Sequence, residues 1–368
     1  MRQITKSAEH MRNPAKQAPE EETPTRLRRN SGRVTLRDVA GHLGISQISV
    51  SRYFQDPERI SAPLRERIAQ AVAQLGYVPN LVAGGLASAH SRVIGMVIPN
   101  ISGPIFAATI QSFSDAVTAH GYQLLLASSY FSSEQEENAV RGLLGWSPAA
   151  LVLTSHFHTQ ATEAMLARTT VPVIETWDYQ PRRKPWQVGF SHPEVGRMAA
   201  RHLLERGYRR VAFVQNSAAG DFSALERRDG FAQVMREQGC EPRFYVPQEV
   251  QPAHAGREAL FALIDGPEPA DAIVFANDNL ASGALLAAQR AGIAVPQRVA
   301  LMGFGDFPFS EMLTPGLTTI RPPARQMGVL AAELIFAQLD AQQSGKQAAS
   351  ALRRPRALAC ELVMREST

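Results

Sequence analysis

The chain has 368 residues, which is more than one average domain needs and enough to bury a sizeable core. Its hydrophobic content of 45% and charged content of 20% are ordinary for a globular protein, and no uninterrupted apolar run long enough to span a membrane is present. The two cysteines, Cys240 and Cys360, lie far apart, which argues against a disulfide framework. Together with a polar N-terminus, these features predict a cytoplasmic protein.

The net charge of +4 is distributed unevenly. Residues 1–92 contain 14 Lys and Arg against 8 Asp and Glu, whereas residues 93–368 contain 24 against 26. A basic head on a slightly acidic body indicates that the head meets a polyanion, although a charged solubilising tail would explain Arg26, Arg28 and Arg29 on their own. Residues 1–32 have no apolar periodicity and are predicted to be a disordered tail.

The stretch from Val34 to Phe54 reads as two short helices around a tight turn. Apolar residues recur at helical spacing on both sides of the turn: Leu36, Val39, Ala40 and Leu43 before it, and Val50, Tyr53 and Phe54 after it. Gly44 can make the turn, and Ser46 is a good N-cap for the second helix. This spacing predicts a DNA-binding helix-turn-helix, and the alternative is a helical hairpin without that function.

This stretch resembles the helix-turn-helix of the lactose-repressor family of bacterial transcription factors. The match continues through Asp56-Pro57 and through LGYVPNLVAGGLAS at Leu75–Ser88. The resemblance implies that the second helix reads bases in the major groove, where Gln can pair with adenine and Arg with guanine. The implied base-reading residues are Gln47, Ile48 and Arg52. The implied phosphate contacts, which position the protein without specifying sequence, are Thr35, Ser46, Ser49, Ser51 and Asn80.

A third helix, capped by Ser61, is expected to complete a helix-turn-helix domain at residues 33–79. The segment that follows, residues 80–91, contains Gly84-Gly85, and each glycine costs a helix about 1 kcal/mol relative to alanine. So short a helix needs something else to order it. The resemblance implies a hinge helix that folds on DNA in a homodimer, with Ala83 and Leu86 as contacts and Leu86 wedged into the minor groove. The alternative is an ordinary flexible linker.

Residues 92–368 alternate apolar runs with amphipathic helices. The predicted strands are Val93–Pro99, Tyr122–Ser128, Ala150–Thr154, Val171–Glu175, Val211–Val214, Ala272–Asn277 and Val299–Phe304, with a terminal strand within Ala357–Thr368. Two sets of such units predict two doubly wound parallel sheets, hence two lobes with a cleft at the carboxyl ends of the strands. This α/β core resembles the type I periplasmic sugar-binding fold, which the family uses for effector binding and dimerisation. No leucine heptads follow the terminal strand, so we expect a dimer.

The resemblance also implies an effector site. Arg227 precedes Gly230-Phe231 at the spacing of a family arginine that holds the effector, and Asp278 follows Ala276-Asn277 like a family aspartate that faces the same cleft. An arginine can clamp a carboxylate, and an aspartate can accept hydrogen bonds from sugar hydroxyls. The first lobe would contribute the side chains of Asn100, Phe106, Thr154 and His158.

His158 stands where the family commonly has an aspartate, and this exchange favours an anionic effector. With the LTSHFHT and ETWDYQ segments, the chain is similar to the gluconate-responsive repressors of the family. We therefore expect gluconate or a related sugar acid, with a neutral sugar or a purine as the alternative. His158 as a solvated loop histidine is an equal alternative, and Trp177 either lines the cleft or only packs.

The sequence predicts neither an enzyme nor a cofactor. His156-x-His158 has no third metal ligand at useful spacing, so no metal site is expected, and Gly303-Phe304-Gly305 lacks the third glycine of a dinucleotide fingerprint. A solute-binding receptor would share the two-lobed core but would need a signal peptide and no DNA-binding head, so residues 1–90 argue against it. The expected partners are therefore double-stranded operator DNA, a small effector and a second copy of the chain. Repression is favoured over activation without being decided.

Overall fold

The computed structural model describes residues 33–79, 91–101, 103–183, 186–217, 220–344 and 356–368. The predicted tail at 1–32 and the predicted hinge contacts Asn80, Ala83 and Leu86 lie outside these residues. The chain divides into two compact units, Met1–Asn80 and Leu81–Thr368.

The first unit consists of short helices whose ends follow from local sequence. They are α1 (Leu36–Leu43), α2 (Gln47–Gln55), a 3-10 turn (Pro57–Arg59) and α3 (Ala62–Leu75). Thr35 forms a capping box with Asp38 at the start of α1. Gly44 ends α1 in the left-handed region at φ 64°, where a side chain would be strained, and the Ser46 side chain accepts from the Ser49 amide to begin α2.

The predicted apolar faces of this unit meet in one small core. Its buried members are Val39, Ala40, Val50, Ile60, Ile68, Ala71 and Tyr77. Ser61 stands at the N-cap of α3 as expected, but its side chain makes no capping hydrogen bond there; Gly76, at φ 63°, ends that helix. Val39 of α1 and Val50 of α2 are both buried in this core. The opposite face of α2 therefore points outward, as the helix-turn-helix prediction requires.

The second unit alternates strands and helices. Its first part contains β1 (Val93–Ile98), α4 (Pro104–Ala119), β2 (Gln123–Ser128), α5 (Ser133–Gly145), β3 (Ala150–Thr154), α6 (Gln160–Arg168), β4 (Val173–Thr176), β5 (Gln187–Gly189), α7 (His192–Glu205), β6 (Val211–Val214) and α8 (Phe222–Glu237). Its remainder contains β7 (Arg243–Tyr245), α9 (Pro252–Ile264), β8 (Ala272–Phe275), α10 (Asp278–Arg290), β9 (Ala300–Phe304), β10 (Thr318–Arg321), α11 (Ala324–Ser344), β11 (Arg356–Ala357) and β12 (Glu361–Val363). Within the described ranges, no helix has the length and apolar character needed to cross a membrane.

The strands form two sheets, which define a first and a second lobe. The first sheet has the order β11-β5-β4-β3-β1-β2 and the second β12-β10-β9-β8-β6-β7. Every described pairing is parallel except β10 with β12. The prediction of two doubly wound, mostly parallel sheets is confirmed. The predicted terminal strand is confirmed as β12, at the edge of the second sheet, and the short β11 just before it joins the first sheet.

The chain passes between the lobes three times: from β5 to α7, from β10 to α11 and from β11 to β12. Since both sheets are parallel, their carboxyl-terminal edges carry the loops that face the space between the lobes. In the second lobe, α7 and α8 pack unusually closely. A Cβ placed on Gly196 would lie 1.8 Å from the carbonyl oxygen of Arg227, and one on Gly230 would lie 2.0 Å from that of Pro193. Glycine at both positions therefore sets the distance of α8, and of Arg227, from α7.

Candidate functional sites

The outer face of α2 is the candidate DNA-reading surface. Gln47, Ile48 and Arg52 are exposed and Ser51 is half-buried, whereas Val50 points into the core. Ile48 is 69% exposed, so its apolar side chain is available for contact with a partner. Within the described residues, the Arg52 side chain has no ion pair or hydrogen bond, so its guanidinium is available to a partner outside the chain.

Two of the predicted phosphate contacts, Thr35 and Ser46, lie at helix starts and serve as N-caps, whereas Ser49 and Ser51 lie within α2. The Thr35 hydroxyl donates to the Asp38 carboxylate over 2.7 Å, and the hydroxyl oxygens of Ser46 and Ser49 lie 3.0 Å apart. A helix N-terminus with exposed amides is also a suitable place for a phosphate. Their contact with DNA stays a prediction.

A cavity of about 380 Å³ lies between the two lobes of the second unit. This volume suits a small-molecule ligand. Of the predicted effector residues, Asn100, Phe106 and Thr154 line it from the first lobe and Arg227 from the second, whereas His158 and Asp278 do not line it. The other functional side chains that line it are Glu136, Trp177, His192, Asp221, Asn277 and Phe304.

Arg227 is the main charged feature of this cavity. Its side chain donates to His192 Nδ1 over 3.1 Å and to the Ala276 carbonyl over 3.2 Å, and its guanidinium carbon lies 4.4 Å from the centre of the Phe304 ring. The residue is only 5% exposed, and burial lowers the pKa of Arg227. No described carboxylate lies within ion-pair distance of it, and its Nε–H has no hydrogen-bond partner among the described residues. A buried cation without a counter-ion is costly, so the site favours an anion.

Two further donors lie at the same cavity. Burial and the charge of Arg227 hold the pKa of His192 well below its ordinary value, so the imidazole is neutral. Because its Nδ1 accepts from Arg227, its proton lies on Nε2, which is buried and makes no hydrogen bond of good geometry among the described residues, the Trp177 backbone being its nearest polar influence. The Trp177 Nε1–H is also buried without a hydrogen-bond partner among the described residues. The Trp177 ring packs edge-on against the Phe106 ring, with 4.7 Å between the ring centres. Trp177 therefore both lines the cleft and packs. Buried polar groups are normally paired, so these donors call for a ligand rich in acceptors.

His158 is not a solvated loop residue, and it does not line the effector cavity. Its side chain is 0% exposed and lies between two acids, 2.6 Å from Glu136 and 3.6 Å from Glu175. Burial lowers the pKa of His158, but hydrogen bonds and charge from Glu136 and Glu175 outweigh it and raise the pKa to about 9. Arg183 balances the second carboxylate at 2.9 Å. The positive charge of His158 is therefore balanced by Glu136 and Glu175 inside the first lobe. The expectation that His158 itself favours an anionic effector is corrected, and the preference for an anion rests on Arg227 instead.

The buried His158 makes stability depend on pH. A histidine whose pKa rises from about 6.5 to about 9 on folding stabilises the protein below pH 6.5, and this contribution disappears as the pH rises through 9. As the pH rises through this range, the unfolding free energy of the wild-type chain should fall by on the order of 3 kcal/mol more than that of the His158→Gln variant. Urea unfolding at pH 6.5 and pH 9.5 measures this difference, and equal losses in the two proteins would contradict the ion-pair assignment.

Asp278 also has a different role from the one expected. Its carboxylate is fully buried and accepts from the Phe307 amide at 3.0 Å, the Ser310 hydroxyl at 2.7 Å and the Thr319 hydroxyl at 2.6 Å. As the first residue of α10 it points back toward β10 and holds the segment that brings Phe307 to the cavity wall. Asn277, one position earlier, lines the cavity instead. The spacing of the motif could not separate these two neighbours.

Several cavity residues gave no clear signal in the sequence. Glu136 and Asp221 stand at the starts of α5 and α8, and His192 opens α7, positions that an ordinary surface or capping residue would also occupy. The two histidines of His156-x-His158 face different partners. His156 donates through Nδ1 to Asp178 and lies 3.9 Å from Glu226 through Nε2.

The chain was compared with known proteins and structures. Residues 35–80 match the bacterial regulatory proteins of the lacI family, and residues 200–368 match a periplasmic binding protein-like domain. The HTH-type transcriptional regulator GntR of Pseudomonas aeruginosa is 33% identical over 343 residues, which cover 92% of this chain and 97% of that protein. A LacI-family transcriptional regulator from Silicibacter pomeroyi superimposes with a TM-score of 0.81 at 28% identity over 91% of this chain and 99% of the other. The transcription regulator GntR of Chromobacterium violaceum gives 0.67 at 31% identity over 75% and 99%.

Proposed function

This chain belongs to the lacI family of bacterial regulatory proteins, and from that membership we propose that it is a dimeric repressor released from operator DNA by a sugar acid. Regulation of transcription through DNA, rather than enzyme catalysis, is what the family and its named relatives have in common. Control by a metabolite, the identity of that effector, the sign of its action and the dimer are the parts that we propose.

The first unit supports the DNA-binding part of the proposal. Exposed Gln47, Ile48 and Arg52 share one face of α2, and side chains of these types match adenine, a thymine methyl and guanine in the major groove. A second copy of the chain would present the same face about a two-fold axis, so the operator would be roughly palindromic. Asn80, Ala83 and Leu86 would add hinge contacts.

The single observation that carries the effector proposal is the buried Arg227 without a carboxylate partner among the described residues. A ligand carboxylate would accept from its Nε–H and from the neighbouring His192 Nε2–H, and charge-assisted hydrogen bonds of this kind are strong. The aromatic rings of Phe106, Trp177 and Phe304 would cover the carbon chain. The carboxylate of Asp221 and the amide of Asn277 would hydrogen-bond hydroxyl groups. A six-carbon sugar acid such as gluconate has this combination.

The coupling between the two activities would be a two-state change. Because the cavity is lined from both lobes, its ligand favours the closed arrangement of the lobes. Closure would change the spacing of the two hinge segments in the dimer, so that residues 81–86 no longer order on DNA. The strength of such control equals the differential affinity of the effector for the two states.

Calorimetric titration with gluconate, a ketogluconate, glucose, a purine and sorbitol tests the effector class. Sorbitol is the matched control, because it differs from gluconate only in replacing the carboxylate by a neutral alcohol. We expect gluconate or the ketogluconate to bind at least about tenfold tighter than sorbitol, and to release operator DNA in a mobility-shift assay. Tighter binding of glucose or a purine would reject the sugar acid, and stronger operator binding with the acid would make it a co-repressor.

A further inference from the structure

His156, Asp178 and Glu226 form a cluster that the effector site does not use. His156 and Asp178 follow β3 and β4 in the first lobe, whereas Glu226 lies on α8 of the second lobe. One ligand-type atom from each residue lies within 4.8 Å of the other two. None of the three residues lines the effector cavity.

The charges in this cluster are poorly balanced. Asp178 is 2% exposed, and the only described base against the two carboxylates is the imidazole of His156. Burial and the charge of Asp178 raise the pKa of Glu226 to about 7, which shows how closely the two acids are crowded. Arg227 and Arg183 influence these acids from farther away, but neither forms an ion pair with Asp178 or Glu226.

The two carboxylates are also held in place by a neighbouring side chain, and one of their oxygens has no described hydrogen-bond partner. Gln180 donates to Asp178 Oδ1 over 3.4 Å and to Glu226 Oε1 over 3.3 Å, so one side chain orients both acids. Glu226 Oε2 is buried with no hydrogen-bond partner in the described part of the chain. An oriented pair of carboxylates with an unpaired buried oxygen and a neighbouring imidazole offers the atom types that can bind a cation.

We propose that His156, Asp178 and Glu226 bind one divalent transition-metal ion, Zn²⁺ or Mn²⁺, that links the two lobes. One imidazole nitrogen and two carboxylate oxygens suit these ions, whereas Mg²⁺ and Ca²⁺ prefer sites made of oxygen alone. His156 presents Nδ1 to Asp178 and Nε2 to Glu226, so its ring turns to offer one nitrogen to the ion at a metal–ligand distance of about 2.0–2.2 Å.

Because its ligands come from both lobes, the ion binds the closed arrangement more tightly than the open one. It therefore stabilises the second unit directly. If the effector proposal is also correct, the ion and the sugar acid strengthen each other's binding by the same factor. Metal binding itself does not depend on that proposal.

The test is calorimetric titration of the full chain with Zn²⁺ or Mn²⁺ in the absence of DNA and of any sugar acid. We expect one binding event per chain that weakens at least about tenfold in His156→Gln and in Glu226→Gln, with Mg²⁺ binding much more weakly than either ion. The matched controls are His254→Gln and Glu205→Gln, which alter exposed residues of the same types on α9 and α7. These should bind the ion like the wild type.

A second measurement separates loss of the site from loss of the fold. The wild-type melting temperature should rise with Zn²⁺, and Glu226→Gln, which removes one of the two crowded carboxylates, should fold without metal but lose that rise. An anomalous-scattering peak between the three side chains in a Mn²⁺-soaked crystal would place the ion directly. The proposal would be overturned if the wild type and the site variants bound the ion with equal affinity. It would also be overturned if neither substitution removed a binding event.

Discussion

Arg227→Met is expected to lower the affinity for gluconate, or for whichever sugar acid binds, by about 100-fold or more. The substitution removes the only described buried cation that faces the cavity while keeping an apolar stem against Phe304. Truncating one partner of a desolvated charge pair costs about 3–5 kcal/mol, and each 1.4 kcal/mol is a factor of ten. Calorimetry on the purified chain measures the loss, and operator release should need correspondingly more ligand.

The chain offers a close control for this prediction. Arg228 lies next to Arg227 on α8 but forms an ion pair with Asp229 at 2.7 Å and lies over the Phe244 ring, away from the cavity. Arg228→Met removes the same charge from the same helix and should leave ligand affinity within about twofold of wild type. In Arg227→Met the unfolding free energy without ligand should not fall sharply, because a buried unpaired charge is removed. Unchanged sugar-acid affinity in a folded Arg227→Met protein would reject the pocket assignment.

Arg52→Ala is expected to weaken operator binding by about 10- to 100-fold while changing affinity for unrelated duplex DNA much less. A bidentate arginine–guanine pair is worth about 1–3 kcal/mol of discrimination, and the exposed Arg52 has no competing partner among the described residues. Titration of an operator duplex and of a scrambled duplex at one fixed salt concentration measures both quantities, because non-specific affinity depends steeply on salt.

Arg59→Ala is the matched control for DNA binding. Arg59 is exposed in the same unit but pairs with Asp56 at 2.8 Å and lies outside α2. The Arg59→Ala substitution should leave the ratio of affinity for the operator duplex to affinity for the scrambled duplex unchanged. If Arg52→Ala weakens both duplexes equally, Arg52 contacts phosphate rather than bases, and if it weakens neither, the DNA-reading face has been assigned wrongly.

The sequence by itself determined the features that depend on neighbours along the chain. The helix-turn-helix could be located because Thr35, Gly44 and Ser46 act on backbone groups within a few residues, and because the apolar spacing of α1 and α2 reports one buried face. The doubly wound core could be predicted for a related reason. A parallel strand covered by helices on both sides is a continuous apolar run, as Val93–Ile98 and Ala150–Thr154 are.

Short and mixed segments were less readable. The strands β5, β7 and β10 contain polar residues and span three or four positions, too few for a period to show. The division of the terminal segment into β11 and β12 depends on which sheet edge each piece reaches. That choice is made by contacts with β5 and β10, which lie far away in the chain.

Only the tertiary structure decided which side chains face which space. Asn277 and Asp278 are consecutive, yet one lines the cavity and the other is held by Phe307, Ser310 and Thr319. His158 is enclosed by acids from α5 and β4, and His156 meets Glu226 from the opposite lobe. The direction of a side chain and the charge of its surroundings arise from packing between distant segments, and no local pattern encodes them.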